Sequence, residues 1–163
     1  MPQITSDNWN PPDFIHKPLL FKAYLAKNLP MALLAGLHPV HISYEKAVVS
    51  LPYKYLTKNP FQSIYFACQC MASELSSGVL ALSHVLNSKQ NISMLVVQME
   101  AEFSQKARGT VLFTCPDGVA LAKGINLAIQ MNEPQKVTVV STGRDKGGDT
   151  VARFKYTWSF KKT

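Results

Sequence analysis

Charge is the scarcest property of this chain. Only 17% of its 163 residues are Asp, Glu, Lys or Arg, against roughly 25% in ordinary soluble domains. With 47% apolar residues, intrinsic disorder, a coiled coil and an acidic solvating tail are all excluded. So little charge implies that surface is set aside for burial, a second copy of the chain being one way to cover it. Cysteine is nearly as scarce, with three residues, Cys68, Cys70 and Cys115. An odd, small number suits reduced thiols in a cytoplasmic protein rather than a disulfide framework. Cys68 and Cys70 stand two apart in an apolar helical stretch, so they point about 200° apart and do not readily share a metal. His38 and His41 have no Cys or carboxylate constellation beside them, so neither a metal nor a cofactor is expected. Residues 1–15 lack a charged start followed by an apolar run, the mark of a secretory leader. The stretch from Leu19 to Leu37 is broken by Lys22, Lys27, Asn28 and Pro30, which argues against a membrane span.

What charge there is leans basic, with a net +7. Residues 1–58 carry six Lys and three acids, residues 59–116 carry three basic and three acidic residues, and residues 117–163 carry eight and four. The excess therefore lies on two flanks around a neutral middle. A polyanionic partner and a solvated basic surface both account for it. No run of four basic residues occurs, and there is no zinc-finger, RNP or helix-turn-helix pattern, so no nucleic-acid partner is expected.

The periodicity predicts one α+β domain spanning 1–163. Residues 1–13, rich in Pro and Asn, form an irregular arm. Residues 14–37 form a helical segment broken at Pro30, with Gly36 placed to end it. Alternation predicts a strand over 47–56, preceded by a shorter one through His41 to Tyr44, with Pro52 marking an edge or a bulge. Ile64, Cys68, Met71, Leu75, Val79, Leu82 and Leu86 recur at helical spacing. The other faces of that helix carry Ala, Ser, Cys and Gly rather than charge, so it is expected to be buried on most sides with a sheet around it. Residues 92–104 and 107–115 are expected to pair as a hairpin about Ser104–Lys106. Residues 117–132 form a loop or short helix, and residues 136–143 and 150–161 a last hairpin. In the final strand Ala152, Phe154, Tyr156, Trp158 and Phe160 share one face.

One carboxylate stands out. Glu74 is the only charged residue between Asn59 and Ser88, in the middle of the most apolar segment. A buried carboxylate needs a polar partner or takes a raised pKa, and both conditions mark functional sites as well as structural ones.

The run Asn59-Pro60-Phe61-Gln62-Ser63-Ile64-Tyr65-Phe66-Ala67, followed by Ala72-Ser73-Glu74-Leu75, resembles the hotdog-fold thioesterases of the phenylacetyl-CoA (PaaI-like) type. It is more similar still to an uncharacterised, domain-of-unknown-function branch of that superfamily, with a pattern like Asn-Pro-Phe-Gly-Ser-Ile-Tyr-Phe-Gly. The element order covers the chain from about residue 14, the motif only residues 59–78. Asn59 matches the family's Asn, and Glu74, nine residues after Tyr65, its acid. Tyr65-Phe66-Ala67 stands in place of the family's His-Gly-Gly, and Gln62 in place of a Gly.

The resemblance implies an antiparallel sheet wrapped around the long helix and a homodimer or dimer of dimers, with the site between subunits. It implies an acyl-CoA or other acyl thioester as ligand. The helix would start near Ser63, leaving amides of about Ile64 to Ala67 free to polarise a thioester carbonyl. Read locally, Asn59-Pro60-Phe61-Gln62 is instead a capping-box-like start. Glu74 would act as general base or nucleophile, and Asn59 would position water or substrate. Tyr65, Phe66, Ala67, Ser77 and Gly78 would contact the substrate, and Lys123, Lys136, Arg144 and Lys146 could meet coenzyme A phosphates. The alternative is a non-catalytic module that binds acyl chains or coenzyme A thioesters, and the missing glycines favour it. A hydratase of the same fold usually needs an Asp/His pair, and no His stands beside a suitable Asp in one motif.

Overall fold

The computed structural model describes residues 3–163. Three short helices come first: α1 (Asp13–His16), α2 (Pro18–Asn28) and α3 (Pro30–Ala35). Pro18 and Pro30 each stand in the first turn of a helix, where the missing N–H costs nothing. Gly36, at φ 77°, caps α3 in the left-handed conformation as expected. Strands β1 (His38–Ile42) and β2 (Ala47–Leu51) form a hairpin. Then come α4 (Phe66–Ser88), β3 (Ile92–Phe103), β4 (Val111–Cys115), α5 (Gly118–Met131), β5 (Gln135–Arg144) and β6 (Thr150–Lys162). One antiparallel sheet holds all six strands in the order β1-β2-β4-β5-β6-β3. It curls around α4, so the architecture is α+β.

The small residues of α4 explain this arrangement. Ala72, Ser73, Ser76, Ser77, Ala81 and Ser83 are buried, and their size lets the sheet approach the helix closely. The hydroxyls are not left bare. The Ser76 hydroxyl lies 2.8 Å from that of Ser141 on β5, and Ser73 Oγ lies 2.6 Å from the Tyr156 hydroxyl on β6. Trp158 Nε1 donates to Ser77 Oγ at 3.1 Å. Buried polar groups satisfied in this way fix the register of helix on sheet. The alternation in β6 holds: Ala152, Phe154, Tyr156, Trp158 and Phe160 are all buried against the helix side.

The arm is pinned rather than loose over its described residues; its first two residues lie outside them. Ile4 exchanges two hydrogen bonds with the Asn126 side chain on α5, and Asn10 exchanges two with Asn87 on α4. A single 3-10 turn, Ser6–Asn8, interrupts it.

Three expectations about elements are corrected, and a fourth, open between a loop and a short helix, is decided for the helix. Strands β3 and β4 do not form a hairpin: β4 lies between β2 and β5, while β3 crosses to the far edge beside β6. Local spacing cannot distinguish a hairpin from such a crossover, because both strands keep the same alternation. Strand β2 stops at Leu51, immediately before Pro52, and it is an interior strand; Tyr53 and Tyr55 lie beyond it. The preceding strand is His38–Ile42 rather than His41–Tyr44. Residues 118–131 form a full helix. No helix among the described residues is long and apolar enough to cross a membrane.

Candidate active site

The segment before α4 is a tight loop organised by Asn59. Its Oδ1 accepts from the amides of Phe61 (3.0 Å) and Ser63 (3.2 Å) and from the Ser63 hydroxyl (3.2 Å). Gln62 turns the chain at φ 57°, a left-handed backbone that favours glycine. The loop is stitched to its neighbours by Ile64 N–H donating to Ala107 O and Tyr65 N–H to Thr57 O, both at 2.8 Å.

Those two bonds revise the expected helix start. Helix α4 begins at Phe66, not near Ser63, and Tyr65 is its N-cap residue. The amides of Ile64 and Tyr65 are therefore spent. Phe66 and Ala67 are the first helical residues, whose N–H groups have no acceptor within the helix, and no side chain caps them. The local reading of Asn59 as N-cap also fails, because its side chain serves its own loop.

An open groove of about 560 Å³ lies over this helix start. Asn59, Phe61, Tyr65, Phe66, Phe103 and Lys106 are among its walls. Tyr65 and Phe66 meet edge to face with ring centroids 4.9 Å apart, and Phe66 reaches Phe103 at 6.3 Å. Gln69, 4% exposed, sits behind them, and its Oε1 has no hydrogen-bond partner.

Glu74 lies two turns further on, in a different cavity. This one has a volume of about 160 Å³, with Tyr24, Leu29, Gly78, Met94 and Trp158 among its walls. Burial raises the pKa of the Glu74 carboxyl above its ordinary value. Among the described residues no salt bridge reaches it; the two that occur are Asp13–Lys17 and Glu100–Lys155. Its Oε1 rests over Gly78, where an added β-carbon would come within 2.9 Å. Tyr24 is close enough that Glu74 adds to the upward shift that burial imposes on its phenol.

Of the residues expected to form the site, the structure gathers two groups rather than one. Asn59, Tyr65 and Phe66 line the groove, whereas half-buried Ala67 is not among its walls. Glu74 and Gly78 share the inner cavity. At 1.5 Å rise per residue, Ala67 and Glu74 are about 10 Å apart along the axis. Ser77 is fully buried: its Oγ donates to Glu74 O at 3.0 Å and accepts from Trp158. Its contact with Glu74 is thus to the backbone carbonyl, not to the carboxylate. Of the cations considered for phosphate, Lys146 shares an open bowl with Lys106 and Arg108, while Arg144 Nη1 donates to Gly148 O at 2.9 Å.

Sequence reasoning missed Tyr24, Met94 and Trp158 as neighbours of Glu74. They come from α2, β3 and β6, and only the tertiary fold brings them together. All three cysteines are free thiols; Cys68 and Cys115 are buried and Cys70 is half-buried. No cluster of three metal-ligating side chains occurs among the described residues.

Comparison with known proteins agrees with the fold. A family model described as Domain of unknown function (DUF4442) matches residues 18–160. No curated protein matches the sequence. Among solved structures, the chain is similar to a Pseudomonas aeruginosa protein of unknown function described as a probable thioesterase. They share 16% identity over 90% of this chain and 97% of that one, with a TM-score of 0.74. A Haemophilus influenzae thioesterase is 14% identical over 85% and 87% of the two chains, with a TM-score of 0.64. A variant of a second Pseudomonas aeruginosa thioesterase is 15% identical over 96% and 99%, with a TM-score of 0.68. Identities this low establish the fold, which is the hotdog fold.

Proposed function

The chain belongs to the DUF4442 family, and on that footing we propose that it is a thioester hydrolase of the hotdog type whose working carboxylate is Glu74. The observation that carries the reading is the state of that side chain. It is half-buried in an apolar cavity, where burial raises its pKa, it rests on a glycine, and no salt bridge among the described residues reaches it. A carboxylate kept there at a cost to stability suits a general base tuned towards neutral pH.

In the proposed reaction Glu74 takes a proton from water as the water oxygen attacks the thioester carbonyl carbon. The carbonyl oxygen gains charge and is held by the free amides of Phe66 and Ala67 at an α4 N-terminus, aided by the helix dipole. The C–S bond then breaks, and the proton passes from Glu74 to the leaving thiolate. One acyl thioester and one water give one carboxylic acid and one thiol. Direct attack by the carboxylate, with an anhydride hydrolysed afterwards, uses the same groups. Asn59 acts as a positioning residue, holding the loop that sets the helix start.

The axial separation of about 10 Å prevents Glu74 and the amides of its own helix from acting on one carbonyl. The amides are therefore supplied by a second copy. Strand β3 offers the means: it is a sheet edge of 12 residues, with Leu95, Val97 and Met99 exposed. A long apolar edge of this kind pairs readily with its twin.

A specific observation favours a second reading. The half-exposed rings of Tyr65 and Phe66 stand at the helix start, where the PaaI-like thioesterases that the motif resembles have His-Gly-Gly. A chain that binds acyl thioesters without cleaving them would show this crowding. Thiol release from coenzyme A thioesters of graded acyl length, by wild type and Glu74→Gln, separates the two. The hydrolase reading expects turnover by wild type and a loss of about 100-fold or more in the variant. Saturable binding with no turnover at any length would establish the binding module instead.

A further inference from the structure

We propose that the cavity between the N-terminal helices and edge strand β1 is a second ligand site, one that takes a single-chain anionic amphiphile such as a fatty carboxylate. Its volume is about 460 Å³, within the range of small-molecule pockets. Its floor is apolar and firm: Ile15, Phe21, Leu37 and Ile42 all belong to the buried core. A floor of that kind suits a hydrocarbon chain and offers nothing to a polar solute.

The rim carries the opposite chemistry. Lys22 comes from α2, His16 from α1, and His38 and His41 from β1. Among the described residues no acidic side chain lines this cavity. The nearby Asp13 is engaged by Lys17 at 3.5 Å, and Lys22 takes part in neither salt bridge of the described residues. An apolar well beneath an ammonium and three imidazoles complements a chain that ends in an anion.

The edge strand itself argues against an added protein strand as occupant. A bulge between Pro39 and His41 interrupts its ladder, and Pro39 has no N–H to offer. Both features are ways in which sheet edges avoid strand addition. The cavity shares no lining residue with that of Glu74, so this site is independent of the proposed hydrolase chemistry.

The test is calorimetric titration of the full chain with dodecanoate, dodecanol and dodecyltrimethylammonium, followed by crosslinking with a diazirine-bearing dodecanoate and peptide mapping. The proposal expects one saturable dodecanoate site per chain, at least about tenfold tighter than the ammonium analogue. Crosslinks should fall within residues 15–42. Lys22→Glu, an exposed change that leaves the core untouched, should weaken dodecanoate about tenfold or more. Leu33→Trp, which fills the cavity from its half-buried wall, should abolish binding, and Glu74→Gln should leave it unchanged. Equal affinity for the cationic analogue, crosslinks confined to the Glu74 cavity, an unaffected Lys22→Glu variant or no saturable binding would each overturn it. Dodecanoate bound here by a chain that cleaves no thioester would leave this site standing while removing the hydrolase reading.

Discussion

Glu74 and Gly78 are coupled through space: a β-carbon on Gly78 would lie 2.9 Å from Glu74 Oε1. One helical turn separates them, so the glycine provides the seat on which the carboxylate lies. The obstructing atom is the end of a flexible side chain, so a methyl group there displaces the carboxylate rather than the helix. Gly78→Ala should therefore fold, and be as stable as wild type or more so by up to about 1 kcal/mol, because alanine is the better helix former. Its thioesterase kcat should fall about tenfold, with KM little changed. Denaturant melts and steady-state kinetics on the same preparation check both halves, and unchanged kcat would show that the seat is irrelevant to the chemistry.

Gln62 supplies a test of the loop. It holds φ at 57°, where an L-residue is strained by about 1–2 kcal/mol and glycine is not. Gln62→Gly relieves that strain but loosens the unfolded chain, so the net gain should not exceed about 1 kcal/mol. Gln62→Val, β-branched, should lose about 1–2 kcal/mol. Urea midpoints read the order Gly, Gln, Val from most to least stable; a valine variant as stable as wild type would contradict the loop geometry.

His84 predicts acid sensitivity. Its ring is fully buried between Tyr44 and Trp9, with Nε2 donating to Tyr44 O at 3.1 Å. Burial lowers its pKa from 6.5 to about 4. The unfolded chain thus binds a proton that the folded one refuses. The stabilisation is complete above pH 6.5 and is lost as pH falls towards 4, by about 3 kcal/mol in all. Glu74 works in the opposite sense, because a raised carboxyl pKa favours the folded state as pH falls. Comparison with His84→Gln isolates the histidine: the variant should lose less stability than wild type between pH 7 and pH 4.5. Parallel curves would contradict this reading.

Much of the arrangement was legible in the residues. Small side chains on the faces beside the apolar stripe of a long helix announce a helix enclosed by a sheet, and the alternation in β6 announces the face that encloses it. A lone Glu74 in an apolar run marks itself as a candidate by its charge alone. What stayed hidden is non-local. The crossover of β3 to the far edge leaves no trace in its own alternation, and Tyr24, Met94 and Trp158 become neighbours of Glu74 only through packing. The start of α4 at Phe66 is equally non-local, because Ile64 and Tyr65 satisfy their amides with Ala107 and Thr57, partners that no local motif reveals.

The central claim is that one reacting centre draws Glu74 from one copy and the α4 amides from another. Ala67→Pro removes one of those amides at a position in the first helical turn where proline is tolerated. Neither Glu74→Gln nor Ala67→Pro should hydrolyse acyl thioesters appreciably alone. Mixing the two under conditions that exchange subunits should restore turnover, because a mixed dimer holds one site with both parts intact. The account predicts activity that rises with exchange and peaks near equal proportions. Full exchange with no recovery, when each variant is inactive alone, would place both parts in one chain and contradict it.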